Sequence, residues 1–557
     1  MRATMSTRLL RRSAARRYLA FVPVVLPFGL ALQTGCADTL NTYNSYYYVG
    51  EGGEAGEAAG EAGTGPGPSG GEGGTSSGQA GEGGQAPDDG HLAYPDAPYA
   101  DTTVAEHAVD VFGVVGNRYW FGVSAEQLAE LNEGTGIGGP VFDGPINGDI
   151  YTPGGQTANF VDHLWVTSAG SDGGIADYGQ VQVKLAGQST MRPWNKRSLP
   201  NFNIDSNEFV KKQRIGGFEH LRFNNGQVGS IFREYLTLEL YKELGYPAPL
   251  VTFAWVSSNV WGGDIEIPYV LVERYKRSFC TRGDAFGGKC ENMWEFTGDI
   301  GQRQDPNPGP LPPKPGNAPS VFDDPNNCQF SECDNTRVKE LEQLINETPQ
   351  GEGFKAATEE LLDWPAFHRF QCLSWVLATG DDTLHNANNV VLAERADGKF
   401  QFLPYSVDIS LGQDWYPSVP LPGTSNIARG CQADKACWAD TIAACEDVLA
   451  DFAKAKPIAK LDDLYDLLDA EGMLRPGDEA RYELLRAWFE ERLVALPEEL
   501  EANREAPMLC TGGTVDCGGY CALPEECGGG CKPPVGKAAA PVGEAPDECP
   551  MITAYPL

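Results

Sequence analysis

The sequence predicts an α+β protein with a β-rich N-terminal half and a mainly helical C-terminal half. Up to about residue 275, short runs rich in aromatic and β-branched residues, such as NRYWFGVS, HLWVTSA and GQVQVKLAG, alternate with Gly, Asp and Pro turns, as strands do. Beyond about residue 336, apolar residues recur every three or four positions, which is the helical period. The chain has 557 residues, of which 41% are hydrophobic, so it is large enough to bury a substantial core.

The first 36 residues have the composition of an export signal. A segment rich in Arg precedes an apolar run, and small residues precede Cys36. The ending Thr34-Gly35-Cys36 resembles that of a bacterial lipoprotein signal, so we predict that Cys36 carries a lipid. Cleavage without lipid attachment and retention as a membrane anchor are the alternatives.

Residues 37–93 follow the signal, and their composition predicts a disordered tether. They are dominated by Gly and Glu, with stretches such as GEGGEAGEAAGEAG that contain no large apolar residue. Such stretches cannot bury enough apolar surface to offset the entropy that is lost on ordering. A flexible segment of this kind suits a folded body that stands off an anchoring surface.

Charge and cysteine content narrow the class of protein. The formal net charge is −35, which argues against a nucleic-acid partner and against direct binding to an anionic membrane, because both call for Lys and Arg patches. The chain has 15 cysteines, and those of the tail, residues 507–557, lack the C-x-x-C spacing of zinc sites. Disulfides, which persist outside the reducing cytoplasm, are therefore predicted. The close pairs are Cys280/Cys290, Cys328/Cys333 and Cys431/Cys437.

The folded body shows a clear order of elements. The run from Ser230 to Gly245 repeats apolar residues at helical spacing, with Ser230 as the N-cap and Gly245 as the stop. Two apolar β-rich runs around a Gly-Gly turn follow, and then a proline-rich insert at about 280–335. A second helix is predicted between Asp363 as its cap and Gly380 as its stop. Three more helices are predicted in DTIAACEDVLADFAKA, LDDLYDLLDAEG and GDEARYELLRAWFEERLVAL.

The stretch GDDTLHNANNVVLAERADGKFQFLPYSVDIS is the candidate functional site. It begins where the second helix ends, continues through an acidic and amide-rich loop, and forms a predicted hairpin around residues 396–398. Asp408 follows the second strand. This order, with Asp381 and Asn386 at D-x-x-x-x-N spacing, is that of the catalytic loop and metal-binding segment of protein kinases. Asp and Asn are also ordinary turn residues, so the pattern by itself leaves a purely structural loop open.

The wider sequence resembles the CotH kinase family, a group of secreted atypical protein kinases named for a spore-coat protein. Five pieces carry the resemblance in the family's order, from about residue 109 to 494. They are NRYWFGVSAEQLAELN, VQVKLAGQSTMRPWNKRSLPNFNID, SIFREYLTLELYKELGYPAP, YVLVERY, and DDTLHNANNVVL with FQFLPYSVDISLG. Two features depart from the family: LAGQS lacks the arginine of its Arg-Gly pair, and Tyr405-Ser406 stand where it has a Trp.

The resemblance implies an α+β, two-lobed fold of the atypical protein-kinase type over residues 94–506. The N-lobe would span about 94–275 and the C-lobe about 336–506, with the insert of about 280–335 between them. The Cys-rich tail, residues 507–557, would follow the kinase-like domain as a small disulfide-tied extension.

The resemblance also implies that the protein uses ATP with Mg²⁺ or Mn²⁺. It further implies roles for six residues. Phosphoryl transfer needs a base beside the nucleophile and oxygen ligands that hold the metal on the phosphates. The assignments are Asp381 for catalysis, with Asp382 as the competing candidate; Asn386 and Asp408 for the metal; Lys196 for the phosphates of ATP; and Glu273 for the nucleotide cleft. For Lys196 the alternative is a solvated lysine after a strand.

Two functions follow from these expectations. The first is an exported atypical kinase that transfers phosphate from ATP to Ser or Thr of a protein at the cell surface or spore coat. The second is a non-catalytic surface lipoprotein with an adhesive or envelope-structural role on the same fold. In both, the membrane is reached only through a lipid anchor of the cell envelope, with plain secretion as the alternative location.

Overall fold

The computed structural model describes residues 109–132, 160–169, 175–186, 192–195, 199–226, 230–261, 265–286, 289–301, 320–385, 388–413, 418–421, 423–505, 515–516 and 521–522. Several expectations lie outside the described residues: the signal with Cys36, the tether, Lys196, Asn386 and most of the Cys-rich tail.

A nine-stranded sheet forms the N-terminal half of the described chain. Its strands are β1 (Asn117–Gly122), β2 (Phe160–Val161), β3 (His163–Thr167), β4 (Ile175–Asp177), β5 (Val181–Ala186), β6 (Asn201–Asp205), β7 (His220–Asn224), β8 (Val251–Ser258) and β9 (Ile267–Glu273). The spatial order is β2-β5-β6-β7-β9-β8-β1-β3-β4. Neighbouring strands are antiparallel except for β1 and β8, which are parallel. A short helix, α1 (Ala125–Asn132), follows β1.

The two faces of this sheet differ in chemistry, because side chains alternate between faces along each strand. One face is mainly apolar and buries, among others, Val183, Phe202 and Leu221 in one core cluster. The opposite face is polar on β5, β6 and β7, where alternate positions carry Gln182, Lys184, Asn201, Asn203, Asp205, His220, Arg222 and Asn224. We call this polar part of the sheet the cleft face, because it lies over the candidate site described below.

Helix α2 (Ile231–Glu243) connects β7 to β8 and joins the sheet to the helical half. Ser230 caps it as predicted, since its Oγ accepts a hydrogen bond from the Phe232 amide at 3.3 Å. Gly245 ends it with φ of 74°, a conformation that glycine adopts without strain. Leu236 and Leu240 of α2 are buried in the largest core cluster, which also contains Phe253 of β8.

The C-terminal half is mainly helical around a small three-stranded sheet. Its helices are α3 (Arg277–Thr281), α4 (Gly283–Phe286), α5 (Thr336–Glu347), α6 (Phe354–Thr358), α7 (Trp364–Val376), α8 (Asn426–Ala433), α9 (Lys435–Ala455), α10 (Pro457–Ala470) and α11 (Asp478–Ala502). Its strands are β10 (Cys290–Phe296), β11 (Val390–Arg395) and β12 (Phe400–Leu403), in the order β10-β11-β12, all antiparallel. A two-stranded ribbon, β13 (Val515–Asp516) and β14 (Cys521–Ala522), lies in the tail.

The structure confirms the predicted fold class and the main elements of the sequence analysis. The β-rich half precedes the helical half, and Asp363 caps α7 by accepting a hydrogen bond from the Ala366 amide at 3.1 Å. The hairpin around residues 396–398 is formed by β11 and β12. Among the described residues, no helix combines the length and the apolar character needed to cross a membrane.

Four disulfides are present in the described part of the chain. Three are the predicted close pairs, Cys280–Cys290, Cys328–Cys333 and Cys431–Cys437. The fourth, Cys372–Cys445, joins α7 to α9 across 73 residues, and the sequence analysis did not pair these cysteines. This bond fixes α7, the helix that leads into the candidate site, against α9.

Candidate functional site

Asp381 lies in the loop after α7, and two amide side chains hold its carboxylate. Asn388 Nδ2 lies 3.0 and 3.1 Å from the two carboxylate oxygens, and Asn389 Nδ2 lies 2.8 Å from Oδ2. Asn389 also donates to the Asp381 backbone carbonyl at 2.9 Å. It adopts φ of 48°, a left-handed conformation that Asn tolerates better than most residues. The start of β11 therefore orients the Asp381 side chain.

Asp382 has a different environment, because its carboxylate is committed to the loop itself. The side chain is 4% exposed and accepts hydrogen bonds from the backbone amides of Leu384 at 2.9 Å and His385 at 3.0 Å. His385 Nδ1 lies 2.8 Å from Oδ1, and Ser374 Oγ donates to Oδ2. Both oxygens of Asp382 thus stabilise the turn, which leaves Asp381 as the carboxylate better placed for chemistry.

Asp408 follows β12 on a segment that α2 holds in place. Arg233 of α2 donates to the Leu411 carbonyl at 3.0 Å, and Thr237 Oγ1 lies 2.7 Å from Ser410 Oγ. Burial raises the pKa of Asp408 to about 6; Arg222 opposes this shift and the negative charge of Asp381 adds to it. The two aspartates thus lie close enough for their charges to interact.

Arg222 of the cleft face and Glu234 of α2 complete the charged group around Asp408. Arg222 donates to Ser406 Oγ at 3.2 Å, and its guanidinium lies 5.0 Å from the ring centroid of Tyr405. Burial raises the pKa of Glu234 to about 8; Arg222 opposes this shift and Asp408 adds to it. Arg222 of β7 and Glu234 of α2 therefore both lie close to Asp408, which follows the β11–β12 hairpin.

Several polar atoms of this group, and of Asn203 directly opposite Arg222 on β6, are buried without a hydrogen-bond partner among the described residues. They include Asn203 Oδ1, Arg222 Nε and Glu234 Oε2. Buried polar atoms are normally satisfied, so such a cluster indicates a place for a ligand or water. Carboxylate oxygens suit a divalent cation and a guanidinium suits phosphate, so the donor set fits a metal-bound nucleoside triphosphate.

Glu273, expected in the nucleotide cleft, ends β9 and is 2% exposed. Its Oε2 lies 2.7 Å from Arg282 Nη1 and accepts a hydrogen bond from the Leu250 amide at 3.1 Å. It also lines a small cavity together with Arg222 and Tyr405. Glu273 thus lies beside this small cavity at the end of β9, where an ion pair already holds its carboxylate, and direct nucleotide contact by Glu273 stays a prediction.

Sequence analysis missed four residues of this site: Arg222, Glu234, Asn388 and Asn389. The Asn-Asn pair directly before β11 was a usable signal, since it lies inside the motif that carried the family resemblance. Arg222 and Glu234 gave no signal, because a charged residue on a strand and one in the first turn of a helix are ordinary. Only the sheet register and the packing of α2 bring them to Asp408.

Comparison with known proteins adds one informative match. Over residues 183–468, more than half of the chain, the sequence matches the family model described as CotH kinase protein. None of the curated proteins compared with the chain matches it. Two solved structures share 11% identity with it: HipA of the Shewanella oneidensis MR-1 toxin–antitoxin system, solved with HipB and operator DNA, and the Helicobacter pylori proinflammatory kinase CtkA. The similarity to HipA covers 58% of this chain and 70% of the HipA chain, with a TM-score of 0.28. The similarity to CtkA covers 58% of this chain and 94% of the CtkA chain, with a TM-score of 0.26.

Proposed function

The chain belongs to the CotH kinase protein family, and on this premise we propose that it is an exported kinase that transfers the γ-phosphoryl group of ATP to Ser or Thr of a surface or coat protein. The observation that carries the proposal is the approach of Asp381 and Asp408. Asp381 lies in the loop before β11 and Asp408 lies in the segment after β12, and a hydrogen bond from the Gly380 amide to the Ile409 carbonyl at 3.2 Å joins these two segments. Two carboxylates that lie close together repel each other when both are charged. A divalent cation shared between them, with the phosphates of ATP, would offset this repulsion.

In this proposal Asp381 is the catalytic residue. Its carboxylate accepts the proton of the acceptor hydroxyl while the hydroxyl oxygen bonds to the γ-phosphorus and the bond to the β-phosphate oxygen breaks. Asn388 and Asn389 hold the carboxylate in one orientation, which favours a fixed approach of the hydroxyl. Asp382 acts by shaping the loop and takes no part in proton transfer.

Asp408 is the proposed metal ligand, together with Asn386, and either Mg²⁺ or Mn²⁺ suits their oxygen atoms. A metal ion held there would neutralise phosphate charge and orient the triphosphate. Arg222 faces the same space and is placed to contact phosphate oxygens through its unpartnered Nε. Glu234 of α2 lies beside Arg222 of β7, an arrangement like that of the strand lysine and helix glutamate that work together in protein kinases.

Export is supported by the four disulfides of the described chain, because such bonds persist in oxidising compartments. We propose that Cys36 carries the lipid anchor and that the acceptor is a protein at the envelope or coat. The competing function is a non-catalytic surface protein that has kept the family fold.

The test is incorporation of γ-labelled phosphate from Mn²⁺-ATP and Mg²⁺-ATP into the purified ectodomain and an added generic protein acceptor. Wild-type protein is compared with Asp381→Asn and Asp408→Ala, and with Asp463→Asn as a matched control on the exposed face of α10. We expect transfer by the wild type and the control, and loss of transfer by the two site variants. Equal incorporation in all four proteins, or none in any, would support the non-catalytic alternative.

A further inference from the structure

The loop between β6 and β7 carries an exposed apolar pair followed by an exposed lysine pair. Phe209 is 39% exposed and Val210 is 49% exposed, whereas most large apolar side chains of the described residues are buried. Lys211 and Lys212 follow them directly and are also exposed. With Glu208, which precedes the apolar pair, they form five consecutive exposed residues, so this part of the loop projects from the sheet. We call these five residues the loop tip.

Buried hydrogen bonds hold the base of the loop and thereby fix the tip. Ser206 Oγ donates to the Gln213 carbonyl at 3.0 Å, and Gln213 Nε2 donates to the Tyr178 carbonyl at 2.7 Å. The Gln213 amide donates to the Val210 carbonyl at 3.0 Å. Ser206 and Gln213 are both buried. The apolar pair is therefore presented by a loop that is already ordered, which lowers the entropy cost of binding a partner.

The charge of the tip is opposite in sign to that of the whole chain. The chain carries a formal charge of −35, which argues against contact with an anionic membrane, but the tip has two lysines against the single carboxylate of Glu208. Arg214, just beyond the tip, is paired with Glu219 at 2.8 Å. Exposed charges separated by more than about 10 Å are largely screened at 0.1 M salt. Acidic residues far from the tip therefore oppose its contacts less than the net charge suggests.

Further cations lie at the end of the sheet from which the loop extends. Burial lowers the pKa of His220, the first residue of β7, to about 3, and the positive charges of Lys276 and Arg274 add to this effect. Asp205, at the end of β6, lies beside His220 and offsets one of these charges. The surroundings of the loop base are thus less acidic than the chain as a whole.

A lipid bilayer fits this arrangement better than a protein surface does. A projecting apolar tip requires a matching hollow in a protein partner, whereas lipids rearrange around it. The apolar pair can enter the boundary between headgroups and acyl chains, while lysine side chains keep their ammonium groups at the level of the phosphates. Exposed apolar residues next to cations are therefore suited to an anionic lipid surface.

We propose that the loop tip binds anionic phospholipid bilayers, with Phe209 and Val210 in the interfacial region and Lys211 and Lys212 at the lipid phosphates. This inference goes beyond the proposed kinase function and does not depend on it. Beside the lipid proposed at Cys36, the tip gives the folded body a second point of attachment. Two attachments on one chain reinforce each other and limit how far the body moves from the membrane.

The test is co-sedimentation with vesicles, using the chain from residue 37, which lacks the cysteine proposed to carry the lipid. The vesicles contain phosphatidylglycerol mixed with phosphatidylcholine, or phosphatidylcholine alone. Two double variants change the tip: Phe209→Ser with Val210→Ser, and Lys211→Ala with Lys212→Ala.

Two control variants change equally exposed residues elsewhere. Leu484→Ser with Val494→Ser alters side chains of α11 that are 66% and 72% exposed, and Lys435→Ala with Lys454→Ala alters exposed lysines of α9. Thermal unfolding of every variant checks that it folds like the wild type.

We expect the wild type and both controls to bind the phosphatidylglycerol vesicles and to bind phosphatidylcholine much more weakly. Loss of the two lysines should weaken binding about 25-fold, since each contributes about fivefold near an anionic surface. Loss of the apolar pair should weaken binding at least about tenfold. A wild type that does not bind these vesicles, tip variants that bind like the wild type, or equal weakening by the controls would overturn the proposal.

Discussion

Replacing Asp408 with Asn should make the metal-free protein more stable, although it should remove the proposed metal site. The folded state holds Asp408 in a partly buried place where burial and the nearby Asp381 both disfavour its negative charge. Asparagine has nearly the same shape and carries no charge. The structure therefore predicts that Asp408 costs stability whenever no cation is bound, which is common for residues kept for function.

The size of the effect follows from the pKa of Asp408, which lies at about 6 against 3.8 for an ordinary aspartate. Each pH unit of difference corresponds to about 1.4 kcal/mol, so the ionised side chain costs up to about 3 kcal/mol in the folded state. Asp408 keeps some contact with water, which screens part of this cost, and we expect a gain of between about 1 and 3 kcal/mol for Asp408→Asn.

The sign of the pH dependence is fixed by the direction of the pKa shift. Because the pKa of Asp408 is higher in the folded state than in the unfolded state, the cost is absent below about pH 4, grows as the pH rises to about 6, and is complete above that. The stability gain of Asp408→Asn should therefore be present at pH 7.5 and close to zero at pH 4.

The assay is urea unfolding of the wild type and Asp408→Asn at both pH values in EDTA, with Asp463→Asn as the exposed control. The same proteins are then compared with Mn²⁺ and ATP added, where ligand binding to the folded state should stabilise only the wild type and the control. A loss of stability for Asp408→Asn in EDTA at pH 7.5, or a gain of equal size at pH 4, would refute the reasoning.

Three further predictions concern the loop and the disulfide framework. Asp381→Asn should abolish phosphoryl transfer yet retain the thermal shift produced by ATP with Mn²⁺, because the proposed metal ligand is intact; loss of both would argue for a binding role. Asp382→Ala should lower the free energy of unfolding in urea by about 3 kcal/mol, since one buried and one partly buried backbone amide lose their acceptor at about 1–3 kcal/mol each; a neutral result would contradict a structural role. Replacing Cys372 and Cys445 together by Ala should lower the free energy of unfolding by about 4 kcal/mol in the chain-entropy model, given the 73-residue separation; a cost under about 1 kcal/mol in urea unfolding would show that the bond does not restrain the unfolded chain.

Much of the local structure could be predicted from sequence, because it depends on short-range signals. Ser230 and Gly245 bracket α2, and Asp363 caps α7, since capping and termination use residues adjacent in the chain. The turn at residues 396–398 and the short-range cysteine pairs follow the same logic. For each of these features, the residues that decide it lie within about one helix or hairpin of each other.

Features that depend on long-range packing could not be predicted in this way. Cys372 and Cys445 lie on separate helices, and only the packing of α7 against α9 reveals the pair. Arg222 reaches the site through the register of β7 in a nine-stranded sheet. Glu234 reaches it because α2 packs between that sheet and the segment after β12. The sequence indicated that Asp381 and Asp408 flank one hairpin, but it gave no indication that Arg222 faces them.

The most direct test of the central claim is a crystal structure of the ectodomain with Mn²⁺ and a non-hydrolysable ATP analogue, with anomalous scattering used to locate the metal. We predict a manganese peak coordinated by Asp408, phosphates that contact Arg222, and a γ-phosphate that faces Asp381. A metal or nucleotide bound away from Asp408, or a cleft in which Asp381 faces no phosphate, would contradict the account.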